Sequence, residues 1–219
     1  MYSKGEFLTM IEYYHKIETL YKRDMEGSKR LIEGEFRNPT VEFLKDNTWQ
    51  FTEKIDGCST LVCWDGHTVS FGGHTPRSQI PAPLVNYLNA TFGTNEAEQI
   101  FEEKFGENEV ILFGEGYGPK IQSGGAYRSD VSFILFDVLI SGNYQPRESV
   151  EDVARSFGID IVPIIFEGTI QEGVDFVKMH PDSTMGTAKM EGLVGRPKVE
   201  MRDRCGKRVI VKIKWEDFK

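Results

Sequence analysis

Trp49-Gln50-Phe51-Thr52-Glu53-Lys54-Ile55-Asp56-Gly57 alternates like a β-strand and runs into a glycine, the pattern of a strand that ends in a turn. Lys54 is thereby placed at a strand end. Behind it come a carboxylate and a residue whose missing side chain lets backbone approach a ligand closely. A lysine amine is a poor nucleophile while protonated, and nearby cations or desolvation are needed to release its lone pair near neutral pH. Asp56 is suited to accept hydrogen bonds or to hold a hydrated metal. Taken alone, Lys-x-Asp-Gly is also what an exposed turn with a solvated charge pair looks like.

The end of the chain bears on that choice. In Arg208-Val209-Ile210-Val211-Lys212-Ile213-Lys214-Trp215, a strand period of two places Val209, Val211 and Ile213 on one face and Lys212 and Lys214 on the other. In isolation these lysines are the solvated side of an edge strand. Beside a lysine nucleophile, they are two phosphate-binding ammoniums that neutralise a triphosphate and favour a neutral amine next to them.

Between these segments the pattern predicts a helix from Phe7 to about Tyr21. A hairpin follows from Ser59–Trp64 and His67–Phe71, closed by a type I′ turn at Asp65-Gly66. Pro81–Phe105 reads as helical with a break near Gly93. Val110–Phe113 and Val131–Val138 read as buried strands, separated by a loop rich in glycine (Gly114, Gly116, Gly118, Gly124 and Gly125). Helices are expected at Glu148–Phe157 and Gln171–Met179, around a strand at Ile159–Phe166. With no repeat, low-complexity tract or linker, the expectation is one α+β domain over residues 1–219, with largely antiparallel sheets flanked by helices.

Composition narrows the classes of function. Hydrophobic content of 39% with 27% charged residues suits a globular protein, and no apolar run approaches the roughly 20 residues of a membrane helix. The first residues do not resemble a secretory signal, and Cys58, Cys63 and Cys205 form neither a disulfide framework nor a zinc-finger spacing. A cytoplasmic setting is expected. A net charge of -8 argues against indiscriminate nucleic-acid binding, so any basic surface must be local.

Five segments, in order, resemble motifs I, III, IIIa, IV and V of the covalent nucleotidyltransferases, which comprise DNA ligases, RNA ligases and mRNA capping enzymes. They are Glu53-Lys54-Ile55-Asp56-Gly57, Phe113-Gly114-Glu115-Gly116, Phe133-Ile134-Leu135-Phe136-Asp137-Val138, Glu191-Gly192-Leu193-Val194-Gly195-Arg196 and Val211-Lys212-Ile213-Lys214. The glutamate directly before the lysine makes the chain most similar to the RNA ligases of phages and bacteria. The resemblance implies the ligase nucleotidyltransferase fold, ATP-grasp-like, with no OB-fold domain after motif V. It implies that Lys54 takes AMP from ATP as a phosphoramidate, with a nucleotide site formed by Glu53, Asp56, Gly57, Arg77, Glu115, Phe136, Lys212 and Lys214. Glu115 would bind the ribose, Phe136 would stack on adenine, and the paired lysines would hold the α-phosphate. Glu191 and Asp56 would engage the metal, Mg2+ by the oxygen character of the donors. The partners implied are nucleic-acid ends, RNA first, in a nicked or broken strand, as in RNA repair.

Some positions carry a second reading. Arg77 falls where the family has a basic contact to nucleotide or acceptor strand, and it equally suits a surface arginine beside a helix start. Lys120, within the glycine-rich loop, and Tyr127, just after it, are weaker candidates for contacts there. His15-Lys16 and Lys22-Arg23 fit either a phosphate-binding rim or a solvated helix face. Ser59 stands where DNA ligases commonly have arginine and many RNA ligases asparagine. Besides an RNA ligase, the alternatives are a minimal DNA ligase core and a degenerate ligase fold that binds nucleotide or nucleic acid.

Overall fold

Trp49 and Phe51 are fully buried, and the strand that carries them organises one half of the protein. The computed structural model describes residues 13–219. In chain order the first elements are β1 (Glu18–Thr19), β2 (Tyr21–Arg23), β3 (Leu31–Phe36), α1 (Pro39–Phe43), β4 (Trp49–Glu53), β5 (Cys58–Trp64), β6 (Val69–Gly73), α2 (Ala82–Phe92) and α3 (Asn95–Phe105). They continue with β7 (Val110–Tyr117), β8 (Ser132–Ile140), β9 (Asn143–Tyr144), α4 (Arg147–Phe157), β10 (Asp160–Ile161), β11 (Ile164–Gly168), α5 (Ile170–Lys178), β12 (Gly192–Pro197) and β13 (Val211–Lys214). Contacts gather the described residues into two compact units, one of Asp56–Ile161 with residues 13–15, the other of Lys16–Ile55 with Val162–Lys219.

The unit containing Trp49 has a sheet of order β1-β13-β12-β4-β11, parallel between β1 and β13 and antiparallel elsewhere. Its apolar face, with Trp49, Phe51, Leu193, Val211 and Ile213, packs on Ile170, Val174 and Val177 of α5. Burying each such side chain contributes about 1.5–3 kcal/mol. The Phe51 ring fills a slot between two glycines, since a Cβ at Gly195 or Gly173 would stand 2.6 or 2.7 Å from it. Helix α5 begins at a capping box in which Thr169 and Glu172 satisfy each other's backbone amides.

The second unit has a sheet of order β10-β8-β7-β5-β6, with β9 beside β8, parallel only between β10 and β8. Val62, Trp64, Leu112, Phe133 and Leu135 form its core with helices α2, α3 and α4. The sheets are thus mixed but mainly antiparallel, and the helices pack on their apolar faces.

Several expectations need correction. Residues 7–12 of the predicted N-terminal helix lie outside the described residues, and its remainder is not helical. Glu18 and Thr19 pair with Val211 and Lys212, while Leu20 and Tyr21 enter the core, so sheet pairing overrides the helical spacing. The Asp65-Gly66 turn is not the two-residue type. Trp64 pairs with Val69, leaving a four-residue loop in which the Asp65 carboxylate accepts the amides of His67 and Thr68. Gly114 and Gly116 lie within β7, not in a loop. The strand predicted at Ile159–Phe166 is two strands in different sheets, because the chain changes units between Ile161 and Val162 and Pro163 has no amide hydrogen to continue a ladder. The final strand is shorter than its pattern, at Val211–Lys214.

Gly114 shows why β7 needs glycine. A Cβ there would meet the Phe133 ring at 2.2 Å and the Ile134 carbonyl at 2.5 Å. Gly114→Ala is therefore expected to destabilise the protein by about 1–3 kcal/mol, as overpacking does. Urea denaturation checks this, and an unchanged midpoint would show that β7 tolerates the methyl group.

Candidate active site

In the first unit, the ladder places three lysines on the face of the sheet opposite the core. Gly192 pairs with Lys214 and Val194 with Lys212, while the Lys54 amide donates to the Gly192 carbonyl at 3.0 Å. Alternation then directs Lys54, Lys212 and Lys214 to the same side. Glu191 stands between two of them, with one oxygen 2.7 Å from Lys54 Nζ and the other 3.0 Å from Lys214 Nζ. Gly192 lets β12 and β13 approach, because a Cβ there would lie 2.0 Å from the Ile213 carbonyl.

Like charges on one face have an electrostatic cost. Burial and then the ammoniums of Lys54, Lys214 and Lys16 hold Lys212 below its ordinary value. Burial also opposes the charge of Lys214, but the hydrogen bonds it donates to Glu216 and Glu191 outweigh it and hold this lysine above its ordinary value. The two lysines of the last strand, equivalent in sequence pattern, thus differ in how firmly they keep a proton.

Glu53, adjacent to Lys54, is 1% exposed. Its carboxylate accepts hydrogen bonds from Ser183 Oγ at 2.5 Å, Thr184 N at 3.0 Å and Thr184 Oγ1 at 2.7 Å. Ser183 and Thr184 belong to a small hairpin closed by Met190 N to the Pro181 carbonyl and Ser183 N to the Ala188 carbonyl. That hairpin leads directly into Glu191, so the Glu53 carboxylate braces the segment that presents the acid between the lysines. Ser183 and Thr184 escape sequence reasoning because they lie some 130 positions from their partner and carry no local pattern.

The second unit holds the other candidates. Phe113 pairs with Asp137 and Gly114 with Leu135, so Phe136 is the extra residue of a β-bulge. Before the bulge Phe133 and Leu135 face the core, and after it Val138 does. Phe136 and Asp137 both meet Tyr14 on the opposite face. The Tyr14 ring lies edge-on to Phe136 and Phe113, 5.0 Å from each, and its hydroxyl donates to Asp137 Oδ2 at 2.8 Å. Asp137 is fully buried. The contact of Tyr14 with these candidates escaped sequence reasoning, which placed it within a predicted helix.

Glu115 is half-buried in β7, opposite Ser59 of β5. Gly57 lies close to it, since a Cβ there would stand 2.4 Å from the Gly116 carbonyl and 2.9 Å from Glu115 Cγ. Burial, with the charge of Glu115 added, pushes the Cys58 thiol up, which suits a packing residue and not a nucleophile. The Asp56 carboxylate accepts the Ser123 amide at 3.4 Å, and its own amide donates to Tyr127 Oη at 3.3 Å. Tyr127 is buried, whereas Lys120 and Arg77 are exposed. Within each unit, the structure brings together Lys54, Glu191, Lys212 and Lys214, and separately Gly57 with Glu115.

A family model described as RNA ligase matches residues 47–214. No curated protein sequence matches the chain significantly. Among solved structures, it is similar to a mutant Naegleria gruberi RNA ligase with ATP and Mn, at 18% identity and a TM-score of 0.65, over 94% of this chain and 56% of that one. It is likewise similar to Naegleria gruberi RNA ligase with PPi, at 19% identity and a TM-score of 0.62, over 98% of this chain and 65% of that one. A further mutant of that ligase, with AMP and Mn, matches at 18% identity and a TM-score of 0.62, again over 98% and 65%. At such identity the likeness concerns the fold. The chain spans less than two thirds of the length of these ligases.

Glu53→Gln replaces one carboxylate oxygen with an amide NH2 that faces either Ser183 or Thr184, and a loss of about 1.5–3 kcal/mol is expected, as for hydrogen bonds to a charged group. Urea denaturation measures it, and wild-type stability in the variant would remove the bracing role. Lys212 gives a pH dependence. Because its folded-state value lies below the unfolded one, the unfolded chain binds more protons between the two, and stability rises with pH through that window. Lys212→Met should therefore raise stability at neutral pH, with the gain shrinking as pH approaches the ordinary lysine value of 10.5. A gain that does not change with pH would assign the effect to packing instead.

Proposed function

The chain belongs to the RNA ligase family, and on that premise we propose that it is an ATP-dependent RNA ligase that works through a lysine–AMP intermediate. The observation that carries this reading is the Glu191 carboxylate between Lys54 and Lys214, on a face that also holds Lys212. The Lys54 amine attacks the α-phosphorus of ATP, a P–N bond forms, and the bond to the β-phosphate oxygen breaks to release pyrophosphate. A 5′-phosphate oxygen then attacks the same phosphorus and returns the amine. Finally a 3′-hydroxyl attacks the activated 5′-phosphate, and AMP leaves as the phosphodiester forms.

In this scheme Lys212 and Lys214 hold the α-phosphate, and fixed cations at that position stabilise the charge that builds on its oxygens in the transition state. Glu115 takes the ribose hydroxyls and Phe136 the adenine face. Gly57 keeps the backbone free of a side chain beside Glu115. Glu53, whose carboxylate is occupied by Ser183 and Thr184, acts through position and not by touching the nucleotide.

The donor set fits a magnesium ion. Among the described residues no group of three or more His, Cys, Asp or Glu side chains gathers as a cage. Magnesium is commonly held by one or two carboxylates together with water and phosphate oxygens, and Glu191 supplies such a carboxylate, with Asp56 as a second candidate. When bound, Mg2+ would neutralise phosphate charge. The Naegleria ligases with ATP and Mn, AMP and Mn, or PPi support a nucleotide and a divalent metal here as well.

Incubation with α-labelled ATP and Mg2+, followed by denaturing electrophoresis, should label the wild type and leave Lys54→Ala unlabelled. Lys214→Ala is expected to slow labelling by about 100-fold or more, the scale on which a transition-state charge contact acts. Without label on the wild type, the enzyme reading fails. Nicked duplexes of RNA and of DNA then test the substrate, and sealing of DNA alone would favour the DNA ligase alternative.

A further inference from the structure

Between β12 and β13 the chain forms an arm, Lys198-Val199-Glu200-Met201-Arg202-Asp203-Arg204-Cys205-Gly206-Lys207-Arg208. It is well tied. Arg202 and Arg208 form an antiparallel bridge, Val209 N donates to the Met201 carbonyl at 2.9 Å, and Asp203 N donates to the Lys207 carbonyl at 2.7 Å. At the tip the Asp203 carboxylate accepts the amides of Cys205 and Lys207 at 2.8 and 2.9 Å, and the Arg202 guanidinium donates to the Gly206 carbonyl. At the base Arg208, with its side chain 4% exposed, grips both oxygens of Glu200.

The ion pairs at the base engage Arg208 with Glu200 and Lys198 with Glu167. Arg202, Arg204 and Lys207 remain exposed at the tip. The nearest acid in sequence, Asp203, is turned inward to the loop's own amides. Three cations held on a pre-ordered loop stand out in a chain of net charge -8, because fixed charges bind phosphates without the cost of ordering the loop. The arm contains no aromatic residue. Proteins that hold single strands usually stack bases on aromatic rings, whereas contacts to a duplex go largely to its phosphates.

We infer that this arm is a docking surface for the phosphodiester backbone of double-stranded RNA, on which Arg202, Arg204 and Lys207 each meet a phosphate. The inference rests on the ligase reading and adds a surface that grips the duplex at the opposite end of β12 and β13 from Lys54 and Glu191. Contact is with backbone and not with base edges, so it is independent of sequence and weakened by salt.

The experiment compares wild type with the Arg202→Ala, Arg204→Ala, Lys207→Ala triple variant, binding a nicked RNA duplex across a salt series. Losing three phosphate contacts should make the slope of log affinity against log salt shallower by about 2.7, so the wild-type advantage falls roughly fortyfold between about 50 and 200 mM salt. Equal slopes overturn the inference. In the wild type, the exposed thiol of Cys205 reports on the same surface. Nicked RNA duplex should slow its alkylation, and a single-stranded RNA of equal length should not. Equal protection by that single strand or by polyaspartate overturns the duplex assignment. Label uptake from α-labelled ATP needs no nucleic acid, so the ligase reading stands or falls separately. A thermal melt of the triple variant confirms that the loop change leaves the fold intact.

Discussion

Glu191 lies between two ammonium groups, and the face of the sheet that carries them depends on that carboxylate. Antiparallel pairing of β12 with both β4 and β13 forces lysines from distant parts of the chain to one side. Without an acid, three positive charges would repel each other across a partly dehydrated surface. The compensation is incomplete. Glu191 and Glu216 serve Lys214, whereas Lys212 has cationic neighbours and keeps its proton less firmly. A surface of this kind is poorly balanced alone and well matched to a phosphate, which is the physical basis for reading it as a nucleotidyl-transfer centre.

The acid is presented with care. Glu53 is buried beside Lys54, yet its oxygens are spent on Ser183 and Thr184, in the hairpin that delivers Glu191. Two adjacent residues of one strand thus do different work. Glu53 holds the frame while Lys54 projects from the opposite face, a division set by the two-residue period of the strand. In the other unit a bulge performs the comparable task. One extra residue in β8 turns Phe136 and Asp137 to the face that holds Tyr14, while Phe133 stays in the core.

Much of the candidate site was legible because its residues cluster in short segments. Lys54 and Gly57 fall within four positions, Lys212 and Lys214 within three, and strand alternation alone shows that the latter two share a face. The break between α2 and α3 at Gly93 was equally readable, since glycines act locally, and the helix expected at Gln171–Met179 is found as Ile170–Lys178. Non-local pairing was harder to read. Glu18 and Thr19 were expected within a helix but pair as a strand, and the Asp65 loop takes its shape from a carboxylate bonded to two amides. Tyr14 meets Asp137 across more than a hundred residues, a contact without a sequence signature.

Periodicity and motif order determined which residues are candidates and which chemistry they suit, because a strand's alternation and a nucleophile's requirements are both local properties of the chain. Tertiary structure alone decided that Glu53 is a brace, that Glu191 pairs with Lys54 and Lys214 and not with Lys212, and that Phe136 lies at a bulge. These depend on sheet register and burial, which arise when distant segments pack together and so cannot be read from spacing along the sequence.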